Sequence, residues 1–339
     1  MKRKVEKYIL GEDTNPLLLS GDALEVLKSI PDNSIDCCMT SPPYWQKREY
    51  ANGGIGLEKK YEEYIDNLVA ICMEVHRVLK LTGSFWLNIG DSYKNKCLLN
   101  IPWRVAIELT DRGWILRNTI IWNKVKGGMD NSKDRLGPAP DCNLSLRCYY
   151  YDVDSIRNKP SGAKVVNGAV VSATGVTGVK YKRKIELSTV LTEEQKANAY
   201  NALEDILTQI QQGKLSDFRM VIKGNQRTTH SDSKKLSGRA KELDEKGFYF
   251  LKYNPKGSKP SDVWDIIPED TQGRGEHFAP YPEDLCKNPI MLTCPENGIV
   301  LDPFVGTGTT CVVAMNMNRK SIGIDMASDY IAISNDRCK

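Results

Sequence analysis

Short apolar strands that alternate with helices at both ends of this 339-residue sequence constrain its fold more than any other feature. The strands predicted from apolar runs ended by turns are Leu17–Ser20, Ile35–Thr40, Ser84–Ile89, Thr119–Trp122, Gly298–Leu301 and Ser321–Ile324. The helices predicted from amphipathic spacing are Ala23–Ile30, Tyr61–Leu79, Pro102–Arg112, Thr309–Met317 and Tyr330–Arg337. Because strands that are apolar on both faces are typical of parallel sheets covered by helices, we expect a doubly wound α/β sheet.

The middle of the chain differs from both ends in charge and in pattern. Residues Asn158–Pro260 hold 19 Lys and Arg against 10 Asp and Glu, whereas the rest of the chain holds 28 against 33. Within this block Ser161–Gly178 shows no clear period, the capping box that begins at Thr192 predicts one helix, and Lys214–Pro260 is polar and basic. A basic block of this size favours contact with a polyanion, although a solvated lysine-rich linker is the alternative. We therefore divide the chain into residues 1–157, an inserted α+β region 158–260, and residues 261–339.

Composition excludes several classes of protein. No apolar run approaches the roughly 20 residues of a membrane span, and no apolar segment follows the basic N-terminus as in a secretory signal. The ten cysteines are scattered without a Cys-x-x-Cys pair, so we predict reduced thiols and no metal site. These features predict a cytoplasmic protein with no membrane partner.

A glycine loop follows the strand at Gly298–Leu301 and opens a helix. Its sequence is Asp-Pro-Phe-Val-Gly-Thr-Gly-Thr-Thr over residues 302–310, and Gly306 and Gly308 permit a tight turn and close approach of a ligand. The loop lacks the lysine of a phosphate-binding P-loop. Asp325 ends the next strand, where a carboxylate suits a ribose diol. This arrangement predicts a nucleoside cofactor without a pyrophosphate; a generic turn with a helix-capping acid is the alternative.

The loop Thr-Ser-Pro-Pro-Tyr-Trp, residues 40–45, leaves the second strand at its carboxyl end. Two prolines exclude regular structure there and fix the direction of the Pro42 carbonyl. The Ser41 hydroxyl and that carbonyl are suited to accept both hydrogens of an aromatic amine, which would stabilise positive charge developing on its nitrogen. Tyr44 offers a face for an unstacked base, and Trp45 either extends that face or belongs to the core.

Together these two loops resemble the catalytic and cofactor motifs of the DNA amino-methyltransferases of restriction–modification systems, which modify cytosine N4 or adenine N6. The catalytic motif precedes the cofactor motif, as in the β class of that family. The resemblance implies a circularly permuted, mostly parallel, seven-stranded Rossmann-like sheet with residues 158–260 as the target-recognition region. It also implies S-adenosyl-L-methionine as cofactor and double-stranded DNA as substrate.

The resemblance also assigns roles to individual residues. It implies a catalytic role for Ser41, Pro42, Pro43 and Tyr44. It implies cofactor contacts from Asp22, His277, Phe278, Asp302, Phe304, Gly306, Gly308 and Asp325. Within the basic block, the candidates for phosphate contact are Lys182, Arg183, Lys184, Lys234 and Lys235. Residues Gly137–Arg147 do not resemble the usual family sequence.

The serine that opens the catalytic motif favours cytosine N4 as the target atom, with adenine N6 as the alternative. A protein or RNA amine methyltransferase is a further alternative, but such enzymes usually carry the cofactor motif first. Methylation of cytosine carbon 5 would need a Pro-Cys nucleophile, whereas here Cys294 precedes Pro295. A binding protein without catalysis is the non-enzymatic alternative. A cognate restriction endonuclease is a predicted partner, and the permuted order predicts that Leu17–Ser20 lies near Ser321–Ile324.

Overall fold

The computed structural model describes residues 1–47, 53–124, 141–146, 150–160, 162–173, 175–224, 238–268 and 281–339. The chain forms two compact units, of which unit 1 comprises Met1–Ile156 with Ser261–Lys339 and unit 2 comprises Arg157–Pro260. Of the helices in these ranges, none combines the length and apolar character that a membrane crossing requires.

Unit 1 is built from a sheet and the helices on its two faces. Its helices are α1 (Lys2–Leu10), α2 (Ala23–Leu27), α3 (Tyr61–Val78), α4 (Ile101–Asp111), α8 (Glu283–Thr293), α9 (Thr309–Asn316) and α10 (Ser328–Arg337). Its strands are β1 (Leu17–Ser20), β2 (Ile35–Thr40), β3 (Leu79–Ile89), β4 (Tyr93–Lys94), β5 (Cys97–Leu98), β6 (Leu116–Asn123), β7 (Asp141–Leu146), β12 (Val263–Asp265), β13 (Ile299–Asp302) and β14 (Lys320–Asp325). A 3₁₀ turn covers Val153–Ile156.

Eight of the strands in the described ranges form one sheet, in the order β1-β14-β13-β2-β3-β7-β6-β12. Only β7 runs antiparallel to its neighbours, so the sheet is mostly parallel. Leu17 pairs with Ile322 and Ser20 with Asp325, which confirms that the first predicted strand lies beside the last. The sheet has one strand more than the seven that the resemblance implied. Strands β7 and β12 were not among those predicted from apolar runs, and β12, with only three residues, is too short to show a period.

Both faces of this sheet are buried, which explains its continuous apolar strands. Cys38 and Phe85 pack into one core cluster with residues of α3 and α4, such as Leu68. Met39 and Trp86, their neighbours along the same strands, pack into a second cluster with residues of α8 and α9. Because side chains alternate across a strand, helices on both faces are needed to bury them all, which is the doubly wound arrangement.

Helix α1 was not among the predicted elements, and Lys320 attaches it to the sheet. The Lys320 ammonium is buried and donates hydrogen bonds to the carbonyls of Tyr8 (2.6 Å), Ile9 (3.0 Å) and Gly11 (2.9 Å). These carbonyls lie at the end of α1, where a cation also interacts favourably with the helix dipole. Burial lowers the pKa of Lys320.

Unit 2 contains helices and short antiparallel strand pairs around its own core. Its elements are β8 (Lys164–Val166), β9 (Ala169–Val171), α5 (Gly178–Glu186), α6 (Glu193–Gln211), β10 (Asp217–Ile222), α7 (Gly238–Lys246) and β11 (Phe248–Tyr253). The capping box predicted at Thr192 is present, and Leu203 and Ile206 of α6 are buried as its period predicts. Strands β10 and β11 pair within residues 214–260, which the sequence showed to be polar and basic, and buried Phe218 is followed there by exposed Arg219.

Candidate active site

Five neighbouring parallel strands of unit 1 end at the same edge of the sheet, and both predicted loops lie there. Thr40 ends β2 and Asp302 ends β13, and these two strands are paired directly. Asp325 ends β14, the strand on the other side of β13. Asp22 follows β1, and Gly90 follows β3. In open α/β sheets this edge is where ligands bind.

The buried carboxylate of Asp302 joins the two loops. Its Oδ1 accepts from the Thr40 hydroxyl at 2.6 Å and from the Phe304 backbone N–H at 3.1 Å. Its Oδ2 accepts from the Thr310 hydroxyl at 2.6 Å and from the Tyr281 phenol at 2.9 Å. Burial raises the pKa of the Asp302 carboxyl, and the four hydrogen bonds oppose that shift. The structure therefore places Asp302 beneath the loops, where it holds them together.

The backbone of the glycine loop depends on its two glycines. Gly306 and Gly308 have φ values of 49° and 85°, in the left-handed region that side chains disfavour. A Cβ atom at Gly308 would lie 2.9 Å from the Ser334 hydroxyl oxygen of α10. That hydroxyl donates to the Gly306 carbonyl at 2.7 Å, and the half-buried Phe304 packs against the core. The turn is thereby fixed close to the end of β13, with α9 beginning at Thr309.

Asp325 and Asp22 are the acids that the sequence assigned to a nucleoside. Asp325 is half-buried, and its carboxylate accepts from the N–H groups of Gly306 (3.0 Å) and Ala327 (2.8 Å). Burial raises its pKa, whereas these hydrogen bonds oppose the shift. Each carboxylate oxygen can accept more than one hydrogen bond, so Asp325 keeps acceptor capacity for a ribose diol. Asp22 is exposed and caps α2 by accepting from the Glu25 N–H at 3.1 Å.

Side chains from two other strands surround the catalytic loop. The Asn88 amide of β3 donates to the Tyr44 phenol oxygen at 2.9 Å and to the Ser41 hydroxyl oxygen at 3.2 Å. The Ser41 hydroxyl lies 3.5 Å from the Tyr44 oxygen, and Tyr44 donates in turn to Asp141 at 3.0 Å. A Cβ at Gly90 would lie 2.5 Å from the Tyr44 ring, so glycine is needed there for the ring to approach the strand.

The two prolines present their carbonyls differently. The Tyr64 phenol of α3 donates to the Pro43 carbonyl at 2.9 Å. Among the residues that the structure describes, no hydrogen bond reaches the carbonyl of the buried Pro42, so this carbonyl keeps its capacity as an acceptor. Trp45 is 3% exposed and donates to the Glu58 carbonyl at 2.9 Å. Trp45 is therefore a core residue and does not extend the face of Tyr44.

The predicted phosphate-binding residues differ in their exposure and in their partners. Lys182 is ion-paired with Glu204 of α6, and its ammonium lies 5.1 Å from the centroid of the Tyr200 ring. Arg183 and Lys184 are exposed on α5. Lys182 thus already has an acidic partner within unit 2, and its contact with a phosphate stays a prediction. The predicted residues His277, Phe278, Lys234 and Lys235 lie outside the described residues.

Sequence reasoning missed three residues that shape the site. Asn88 and Asp141 contact Tyr44 from positions 44 and 97 residues away in the sequence, and no local motif marks them. The Tyr281 phenol donates to Asp302, a contact that no motif in the sequence indicated. These contacts depend on strand pairing, so a linear motif could not have shown them.

The fold and the two joined loops define a Rossmann-like methyltransferase, and comparisons with known proteins agree. The model of the DNA methylase family covering N6 and N4 enzymes matches residues 35–336. The chain therefore belongs to this DNA methylase family.

Individual relatives are similar over most of their length. The Type II methyltransferase M.SfiI of Streptomyces fimbriatus is 31% identical, over 93% of this chain and 89% of that protein. The Type II methyltransferase M.SmaI of Serratia marcescens is 28% identical, over 94% of this chain and 89% of its own. Among solved structures, the PvuII DNA methyltransferase, described as cytosine-N4-specific, superposes with a TM-score of 0.56 at 19% identity, covering 95% of this chain and 86% of that one. This last similarity supports the fold.

Proposed function

We propose that this protein transfers a methyl group from S-adenosyl-L-methionine to the exocyclic N4 of a cytosine flipped out of double-stranded DNA. The observation that carries the proposal is the Thr40–Asp302 hydrogen bond of 2.6 Å, which joins the loop bearing Ser41 to the loop bearing Gly306. Transfer between two ligands requires their sites to be adjacent, and this bond keeps the two loops adjacent.

The residues of the glycine loop fit a nucleoside cofactor better than a nucleotide. Gly306 and Gly308 leave the backbone open to close approach, and Asp325 offers acceptors for two hydroxyl groups. The loop also lacks the lysine with which a P-loop holds phosphates, so it suits an adenosyl group that carries a sulfonium. A Thermus thermophilus protein with a similar fold (TM-score 0.50, 19% identity, covering 95% of this chain and 94% of that one) was solved with S-adenosyl-L-methionine. When bound, this cofactor supplies an electrophilic methyl group.

The catalytic loop would act on the amine. The amino group of cytosine is a poor nucleophile because its lone pair is delocalised into the ring. Acceptance of its two hydrogens by the Ser41 oxygen and the Pro42 carbonyl favours a tetrahedral nitrogen with a localised lone pair. The same acceptors would stabilise the positive charge that develops on the nitrogen as it takes up the methyl group. Tyr44 would support the base by stacking, with its ring held by Asn88 and Gly90.

The choice of cytosine N4 over adenine N6 is the finer part of the proposal. It is supported by the serine at position 41 and by the name of the PvuII enzyme, whose fold is similar. We also propose that the protein acts in the cytoplasm beside a cognate restriction endonuclease. The names of M.SfiI and M.SmaI as Type II methyltransferases support the second part of this proposal.

Analysis of the modified base tests this proposal. DNA methylated by the purified protein with isotopically labelled S-adenosyl-L-methionine would be digested to nucleosides and analysed by mass spectrometry. We expect label in N4-methylcytosine, and mapping of the modified positions would give the recognition sequence. Label in N6-methyladenine would replace the cytosine assignment, and label in neither base would reject DNA amine methylation.

Unit 2 is proposed to bind the DNA backbone through its exposed cations. The slope of log affinity against log salt is negative, and we expect the joint substitution R183A/K184A to reduce its magnitude by about 1.8, because each phosphate contact contributes about 0.9. The joint substitution K241A/K246A in α7 is the matched control, because both lysines already pair with glutamates of the same helix. Measurement of DNA binding by fluorescence anisotropy over a salt series gives this slope for each variant. Parallel salt plots for wild type and R183A/K184A would remove α5 from the DNA surface.

A further inference from the structure

A chain of hydrogen bonds leads from Ser41 to a carboxylate that no sequence motif indicated. Asp141 is the first residue of β7, and because β7 runs antiparallel its start lies at the carboxyl edge of β3. The side chain is almost fully buried beside the catalytic loop. Its Oδ2 accepts from the Tyr44 phenol at 3.0 Å and from the Lys124 ammonium at 2.9 Å.

We propose that Asp141 is a positioning residue, which sets the direction of the hydrogen bonds between Tyr44 and Ser41 so that Ser41 presents a lone pair to the target amine. The inference rests on the proposed amine methylation, because it concerns how the acceptor in that reaction is oriented.

The direction follows from the number of donors and acceptors. An ionised carboxylate only accepts, so the phenol proton of Tyr44 must be donated to Asp141. The Tyr44 oxygen is then an acceptor toward Asn88, which supplies an N–H at 2.9 Å, and toward Ser41. The Ser41 proton is thereby directed to Tyr44, 3.5 Å away, and a lone pair of the Ser41 oxygen is left for the substrate. Without the carboxylate, the phenol proton could turn to Ser41, whose own proton would then face the amine hydrogens.

The residues around Asp141 and Tyr44 favour this direction of the hydrogen bonds. The Lys124 ammonium forms an ion pair with Asp141. It also lies 4.6 Å from the centroid of the Trp122 ring, and this cation–π contact restrains the ammonium. Burial, followed by the nearby Asp141 carboxylate, raises the pKa of Tyr44 well above its ordinary value. Tyr44 therefore keeps its proton and remains a donor.

A double-mutant cycle tests the proposal with the full-length protein. We expect D141A to lower kcat for methyl transfer to DNA by about 10- to 100-fold, the scale expected when a reacting group is misoriented. KM for S-adenosyl-L-methionine should stay within about twofold, because the cofactor loop is not touched. D141N retains an acceptor oxygen and should recover part of the rate. Y44F removes the hydroxyl that transmits the effect, so D141A should change kcat by less than about twofold in that background.

One variant serves as the control for this cycle, and two results would overturn the proposal. Asp36 is a buried carboxylate of the same sheet that also pairs with a lysine, Lys80 at 2.9 Å, but it lies near the start of β2 at the opposite edge. D36A should therefore leave kcat per folded protein unchanged. The proposal is overturned if D141A costs as much in Y44F as in the wild type. It is also overturned if Y44F alone retains the wild-type kcat, a result that does not require D141A to fold. Because transferred radioactive methyl is counted whichever base receives it, failure of the cytosine assignment would leave this cycle readable.

Discussion

Replacing Ser41 by alanine should lower the rate of methyl transfer by about 100- to 1000-fold, which is the usual effect of removing one preorganised group that stabilises charge in a transition state. In the proposed reaction the hydroxyl is one of two acceptors for the amine hydrogens, and the backbone carbonyl of Pro42 has a fixed direction that does not compensate for its loss. The substitution leaves the Thr40–Asp302 bond in place, so binding of cofactor and DNA should change little. Single-turnover transfer of tritiated methyl, with separate binding titrations, measures both quantities.

A second serine of the same sheet provides the matched control. Ser84 in β3 is buried, and its hydroxyl has no hydrogen-bond partner within the described part of the chain. S84A removes the same atom from a buried position of the sheet outside the catalytic loop and should leave the rate unchanged. A loss of less than about tenfold in S41A would mean that the serine supports the loop without accepting from the amine. A loss of cofactor binding together with the rate would instead place Ser41 in the structural framework.

The sequence predicted those parts of the fold in which local pattern and burial agree. Strands β1 and β2 begin and end at the predicted residues, because Gly21 and the two prolines after Ser41 end them abruptly. Strand β7 was not predicted, although all six of its residues are buried. It contains Asn143 and Ser145, polar residues that a single sequence places on the surface. Burial of such residues depends on the neighbouring strands, which the sequence alone does not reveal.

The candidate site likewise has a part that the sequence could predict and a part that it could not. Ser41, Gly306 and Asp325 stand in short motifs at the ends of strands, where chemistry and spacing can be interpreted together. Their juxtaposition was predictable because the carboxyl ends of parallel strands share one edge. The roles of Asn88 and Asp141 were not predictable, since their contacts with Tyr44 arise from the pairing of β3 with β7. Asp302 was expected to line the cofactor pocket, and its position beneath both loops became clear only from its hydrogen-bond partners.

Replacing Asp302 by alanine should destabilise unit 1 by about 2–3 kcal/mol, because several buried donors would lose their acceptor at about 1–3 kcal/mol each. Relief of the desolvation cost of a buried carboxylate offsets part of that loss, so the net value falls below the simple sum. For a unit of this size we expect the melting temperature to fall by roughly 5–10 °C. Affinity for S-adenosyl-L-methionine should fall as well, since the Phe304 N–H and the Thr310 hydroxyl hold the glycine loop through this carboxylate.

The combination of effects decides how Asp302 acts. A residue that only contacted the cofactor would lower affinity in D302A without changing the melting temperature of the free protein. A residue that joins the two loops must lower both, and differential scanning calorimetry of cofactor-free protein separates these cases. D284A removes an exposed carboxylate paired with Lys287 and, as the control, should change stability by less than about 1 kcal/mol. An unchanged melting temperature for D302A would show that the loops are held together by other contacts, and the Thr40–Asp302 bond could no longer explain why the two sites are adjacent.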